Sequence, residues 1–338
     1  MEAKTRQSNF ELLRLVCMMM VLICHANYGE EGWPTQALIK ELPLLYLWRV
    51  LVNQFCIVSV PVFVMISGWF GIRPSVRGFC NLMFQVLFAG AVCAVVVFAT
   101  GQQVNIAQVV LSMLGAGHWF VASYVVLYVL APLLNAFVEQ TEERQLRYML
   151  FVYFSVEIVY GYLSEAGYFY RGYSALHFIG LYLLSRYLRL YPNRFTGLSS
   201  ATDFLFYFLI SLLTGLLFYF GTGWRDVGFH LIWIISPFVT LASAFFLLAF
   251  SKRSFQSRAI NWMASSAFAI YLYQENVLIR PHFKSVANAI LSQNGFWTGV
   301  AELFLFLCCV AVICILVDKL RQAIWGKVEG MMPFTNRV

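Results

Sequence analysis

The stretch NFELLRLVCMMMVLICHANYG, residues 9–29, sets a carboxylate, a guanidinium and an imidazole in an otherwise apolar run: Glu11, Arg14 and His25. Ionisable groups inside an apolar segment are expensive, and where they persist they usually serve function. The planar fork of arginine suits it to holding anions such as phosphates. Imidazole suits proton transfer near neutral pH. Arg14 and His25 are eleven residues apart, almost three full helical turns. On an α-helix they share one face, about 16 Å apart along the axis. Arg14 then lies toward one membrane surface and His25 toward the other, along one wall of a channel-like face. Topology alone offers an alternative for Arg14, which can snorkel to the surface or pair with Glu11 at i, i+3. For His25 the alternative is a plain hydrogen bond to a neighbouring helix.

More polar groups gather in the same outer half of the chain's apolar segments: His118, Trp119, His230, Glu275 and Asn276. Glu275 sits deep in an apolar run. It is placed to orient His25 or to bind a hydroxyl, and the competing reading is an ion pair with Arg280 or Arg49. His118 heads its apolar run, where a resting place at the membrane interface also explains it. Tyr124 and Tyr128, at i, i+4, line a groove or pack the core. His177 and His282 carry no pattern. The eight cysteines show no CxxC pair and no metal-ligand spacing, so they are read as small apolar fillers. Cys24 adjoins His25 but points about 100° away on a helix.

The elements that must position these residues are membrane helices. The 338-residue chain is 61% hydrophobic and 12% charged, against about 25% charged for a soluble domain. Ten apolar runs are long enough to cross a bilayer: 10–28, 46–70, 79–100, 119–138, 147–163, 174–190, 201–220, 229–250, 260–280 and 297–318. None alternates as barrel strands do, and lipid admits only helices or closed barrels. The fold class is an all-α integral membrane protein, a bundle of about ten transmembrane helices forming a single domain over 1–338. Sixteen of the 23 Lys and Arg fall in the termini and alternate loops on the N-terminal side, and five, Lys40, Arg171, Arg225, Arg280 and Lys284, on the other. That asymmetry predicts both termini in the cytoplasm. Spread thinly over short loops, the formal charge of +7 is a topology signal and excludes nucleic acid as the partner. The first run follows Lys4 and Arg6, but it holds charges and no small-residue cleavage site follows it, so it is expected to be a retained helix. The longest connections, around 29–45, 101–118 and 281–296, are under twenty residues each. No internal repeat is evident, which weakens a secondary-transporter reading.

Four segments together carry a resemblance. The first is Arg14, ten intervening residues and His25 within NFELLRLVCMMMVLICH. The others are VPVFVMISGWF (60–70), HWFVASYVVLYVLAP (118–132) and SSAFAIYLYQENVLIRP (265–281). In this order they resemble the membrane-bound acyltransferase-3 family over nearly the whole chain. Two departures stand out. Gln274 occupies a position where that family commonly has histidine, and only Arg73 and Arg77 stand in the loop after the second helix, where a denser basic cluster is usual.

The resemblance implies transfer of an acyl group, acetyl in the simplest case, from acyl-CoA (acetyl-CoA) to a hydroxyl of a carbohydrate or lipid-linked glycan, without a metal, in a bacterial inner membrane. Arg14, with Arg73 and Arg77, would meet the phosphates of CoA, although the loop pair also reads as plain positive-inside residues. His25 would act as general base or, alternatively, as a transient acyl-histidine. Glu275 would support it, and His118, Trp119 and Asn276 would face the acceptor. Membrane lipids are the remaining partners, and self-association is left open. The competing classes are a transporter or flippase for a lipid-linked sugar, and a membrane sensor or polymerase subunit.

Overall fold

Apolar runs in lipid must satisfy their backbone groups internally, and among the described residues every regular element is a helix. The computed structural model describes residues 6–27, 35–101, 105–221, 230–293 and 295–330. Lys4, Arg225, Arg337 and the first residue of the eighth expected span lie outside them. The central element is α1 (Ser8–Asn27). Around it run α2 (Gln36–Glu41), α3 (Pro43–Cys56), α4 (Ser59–Phe70), α5 (Val76–Ala99), α6 (Ile106–Met113), α7 (Trp119–Gln140) and α8 (Glu143–Val156). They continue with α9 (Ala175–Leu190), α10 (Ser200–Gly221), α11 (Pro237–Ser251), α12 (Arg258–Ala264), α13 (Ala267–Gln274), α14 (Arg280–Gln293) and α15 (Phe296–Gly330).

Among the described residues, seven helical segments are long and apolar enough to cross a membrane: α1, α3 with α4, α5, α7, α8 with the turn that follows it, α10 and α15. The other three expected spans take different forms. α9 has sixteen residues and α11 fifteen, each shorter than the ~20 needed to span alone. The run 260–280 is not one helix at all. It breaks after Ala264 and again at Glu275. The three connections read as loops also contain helices, α2, α6 and α14.

Each break has a visible cause. α3 gives way to α4 at Ile57 and Val58; Pro61, four residues on from Ile57, has no N–H for that carbonyl and its ring clashes with it. The α12–α13 break is held by α15. Lys319 Nζ donates to the Trp262 carbonyl and the Ser265 hydroxyl at 2.5 and 2.6 Å, and Gln322 Nε2 donates to the Ser265 carbonyl at 3.2 Å and Ser266 Oγ at 3.0 Å. Non-helical backbone at membrane depth is tolerated where protein supplies such partners.

α1 touches α3, α4 and α11 to α15, so any residue along it faces other helices. Its N-terminus is tied to the α12 region: Ser8 Oγ accepts from Ser257 N at 2.8 Å. α4 packs closely on α9 because Gly68 has no side chain; a Cβ there would stand 2.6 Å from the Tyr182 carbonyl oxygen. Small residues allow this close approach of helices in a membrane. Large apolar side chains cover the outside, among them Val95, Leu133, Phe151, Leu213 and Ile313, as lipid-facing surface requires.

Candidate active site

His25 lies in the last turn of α1. Opposite it, α13 ends: Glu275 N closes the helix on the Tyr271 carbonyl at 2.9 Å. The chain cannot continue as helix because Asn276 folds it over. Its side-chain Oδ1 accepts from Leu278 N at 3.1 Å and its carbonyl from Arg280 N at 2.8 Å, an Asx-type turn. Ser112 of α6 donates to the same Oδ1 at 2.9 Å. This buried turn presents Gln274 and Glu275 to α1.

His25 Nδ1 lies 2.6 Å from Gln274 Oε1 and 3.2 Å from Glu275 Oε2. Both are acceptor oxygens, which assigns the ring proton to Nδ1 and leaves the lone pair on Nε2. Glu275 is itself held: its Oε1 accepts from Arg280 Nη1 at 3.1 Å, and Gln274 Nε2 lies 3.4 Å from its Oε2. The order guanidinium, carboxylate, imidazole is the arrangement that orients a general base and stabilises the imidazolium formed when it takes a proton. Of the expected alternatives for Glu275, the structure therefore shows two at once, contact with His25 and an ion pair with Arg280.

His25 borders a cavity of about 450 Å³. Trp119, Tyr173 and Trp233 give it flat aromatic walls, and Asn53, Ser59, Glu165 and Arg171 give it polar groups. Trp119 packs edge-on against Tyr173 at 4.5 Å, and the Arg171 guanidinium lies 4.7 Å from the Trp233 ring. Burial pushes the Tyr173 phenol up to about 12, so it remains a hydrogen-bond donor at neutral pH. Asn53 lines this space, and its buried Nδ2 has no hydrogen-bond partner among the described residues. The wall from Glu165 to Gly172 is conformationally unusual. Glu165, Tyr170 and Arg171 have positive φ, which costs non-glycine residues energy and clusters at ligand sites. At Gly172, with φ of 94°, a Cβ would meet Ile235 N at 2.6 Å. Cys24 also borders the cavity, although helical phase turns it about 100° from His25.

Arg14 borders a second cavity, of about 270 Å³, with Arg6, Glu11, Ser67, Gln85 and Tyr124. Arg14 Nη1 donates to Glu11 Oε1 at 2.8 Å, the i, i+3 pair expected from the sequence. The other Glu11 oxygen is buried without a partner among the described residues. Arg73 is exposed. Arg77 is exposed too and pairs with Glu329 on α15. Neither borders the Arg14 cavity.

The structure thus brings His25, Glu275 and Trp119 to one site and Arg14 to an adjoining one. His118 and Asn276 stand apart. His118 is buried rather than interfacial, with Nε2 3.2 Å from the Leu272 carbonyl; it serves the end of α13. Asn276 is wholly buried in the turn it forms. Sequence reasoning missed Gln274 as the nearest partner of His25, and Arg171, Tyr173 and Trp233 as cavity walls. It also missed His177 and Glu157, a fully buried pair with Nδ1 2.8 Å from Oε1. Glu157 begins a π-helical turn, Glu157–Leu163, and such turns re-aim side chains. One signal was available: two ionisable groups in adjacent apolar runs need each other.

The structure is that of a helical membrane protein in which an oriented imidazole borders one cavity and the Arg14 guanidinium borders another. The family model described as an acyltransferase domain matches residues 7–319, and the chain belongs to this acyltransferase-3 family. No curated protein and no solved structure matches it.

Proposed function

We propose that this membrane acyltransferase moves an acyl group, acetyl in the simplest case, from cytoplasmic acyl-CoA to a hydroxyl of a cell-surface or lipid-linked glycan. The observation that carries the reading is the division of labour along α1. Arg14 and Arg6 border one cavity, and His25 borders another with Nδ1 held by Gln274 and Glu275. Guanidinium groups suit the phosphates of CoA. Aromatic faces and open hydrogen-bonding groups suit a sugar ring, whose C–H faces pack on aromatic rings while its hydroxyls bond.

In the proposed reaction the acceptor hydroxyl gives its proton to His25 Nε2 as its oxygen attacks the thioester carbonyl carbon. The tetrahedral intermediate collapses, the carbon–sulfur bond breaks, and the imidazolium returns the proton to the departing thiolate. An ester and free CoA result. Glu275 holds the imidazole in orientation and stabilises its cationic form. The topology that serves this chemistry has ten crossings in a bacterial inner membrane and both termini in the cytoplasm. The basic residues Arg6, Arg14, Arg189 and Lys319 then lie at the donor's end, and His25 at the acceptor's.

Membrane vesicles given labelled acetyl-CoA and membrane glycan test the reading. Label should enter glycan with the wild-type protein and not with His25→Ala. Glycan that crosses the vesicle membrane without acquiring label would instead make the protein a transporter.

A further inference from the structure

The Arg14 and His25 cavities have three lining residues in common, and all three are phenylalanines: Phe63 of α4, Phe120 of α7 and Phe268 of α13. They form a closed triangle. The ring centroids lie 6.0 Å apart for Phe63–Phe120, 6.3 Å for Phe63–Phe268 and 5.8 Å for Phe120–Phe268, which is van der Waals contact for aromatic rings. Each of the three borders both the Arg14 cavity and the His25 cavity. The triangle is therefore the partition between them.

We infer that Phe63, Phe120 and Phe268 are the constriction through which the acyl group passes from Arg14 to His25, and that they set the size of acyl group the enzyme accepts. The inference rests on the proposed transfer from acyl-CoA. Three features of the triangle favour it. First, an apolar ring of this kind excludes water and ions when unoccupied, as a passage through a membrane must. A thin, flexible acyl-pantetheine arm can part aromatic side chains and replace their mutual contacts with its own.

Second, the three rings are unequally held. Phe120 is buried and braced by Phe178 at 5.2 Å, Tyr124 at 5.7 Å and Tyr271 at 5.8 Å. Phe63 and Phe268 are only half-buried, so they are the rings with room to move. Third, Phe268 rides on α13, an eight-residue helix with a break at each end. Such a helix can tilt without disturbing a long hydrogen-bond ladder. Phe120 is then the fixed jamb, with Phe63 and Phe268 the moving parts that measure the acyl chain.

Native Cys24 provides the probe, because it borders the His25 cavity and is half-buried. Sealed vesicles of both orientations are treated with a charged, membrane-impermeant methanethiosulfonate, and Cys24 modification is read from peptide mass. In the wild type, Cys24 should react in one orientation only, from the His25 side. In Phe63→Ala and Phe268→Ala it should react in both, at least tenfold faster than wild type from the Arg14 side. Phe246→Ala removes a ring of the same size that borders neither cavity and packs instead on Phe204, Tyr207 and Phe250, and it should not open that route. Equal reaction from both sides in the wild type, or none from the Arg14 side in the two variants and their double, overturns the constriction.

Acyl preference is the second readout. Acetyl-, butyryl- and hexanoyl-CoA are compared by kcat/KM, with Phe63→Leu as a variant that keeps the core filled. Loss of a ring should shift preference toward the longer chains by about tenfold, and Phe63→Trp should shift it the other way. An unchanged chain-length profile in all of them refutes the sizing role. The two readouts separate the failures. If acyl-CoA is not the donor, no chain-length profile exists, yet the gain of Cys24 access still reports the partition.

Discussion

Glu275→Gln is the most informative single change, because it removes a charge and keeps the shape. Glu275 Oε2 stands 3.2 Å from His25 Nδ1. At an effective dielectric constant of about 20, a full carboxylate–imidazolium pair at that separation is worth roughly 5 kcal/mol. Two features reduce the figure. The carboxylate is already paired with Arg280 at 3.1 Å, and the two side chains keep 13% and 29% of their surface. Halving the Coulomb value leaves about 2–3 kcal/mol that appears only when His25 becomes cationic during transfer, which corresponds to about a 30- to 150-fold fall in kcat. Gln274 Oε1, at 2.6 Å, still holds Nδ1, so orientation survives and the loss falls on kcat rather than on KM for acyl-CoA. The assay is steady-state transfer of labelled acetyl by purified protein in detergent, with thermal stability confirmed first. A kcat within threefold of wild type, or a loss confined to KM, would refute the reasoning that Glu275 acts through the charge on His25.

The remaining expectations concern the other charged groups. His25→Ala should leave less than a few per cent of wild-type transfer with normal membrane insertion, measured by labelled-acetyl incorporation beside expression level. Arg14→Ala should raise the apparent KM for acyl-CoA well above any effect on the acceptor, and Arg14→Lys should restore it only in part, since a point charge lacks the planar fork. Removing one member of the buried Glu157–His177 pair, as in His177→Leu, should cost about 3–5 kcal/mol because it strands a buried partner. The Glu157→Leu/His177→Leu double variant should lose less than the sum of the two singles in thermal unfolding.

The amino-acid sequence by itself determined the class of molecule. Apolar runs in lipid have only helices open to them, so an all-helical membrane protein follows from composition and run length. It also determined that Arg14 and His25 share a face, because helical period is a local property, and the order of four motifs announced the family. What faces that helix was decided by tertiary structure. Gln274, read from the sequence as the absence of a second imidazole, is the nearest acceptor to His25 across 249 residues of chain. The run 260–280 reads as one apolar helix, and no period reveals that Lys319 and Gln322 of α15 would take up the carbonyls of an interrupted one. The three phenylalanines stand at 63, 120 and 268 without any sequence relation; only the packing of α4, α7 and α13 makes them a single partition. Local pattern predicts which backbone a segment adopts and which way a residue points. Partners come from elements far apart in the chain, and the site is made of partners.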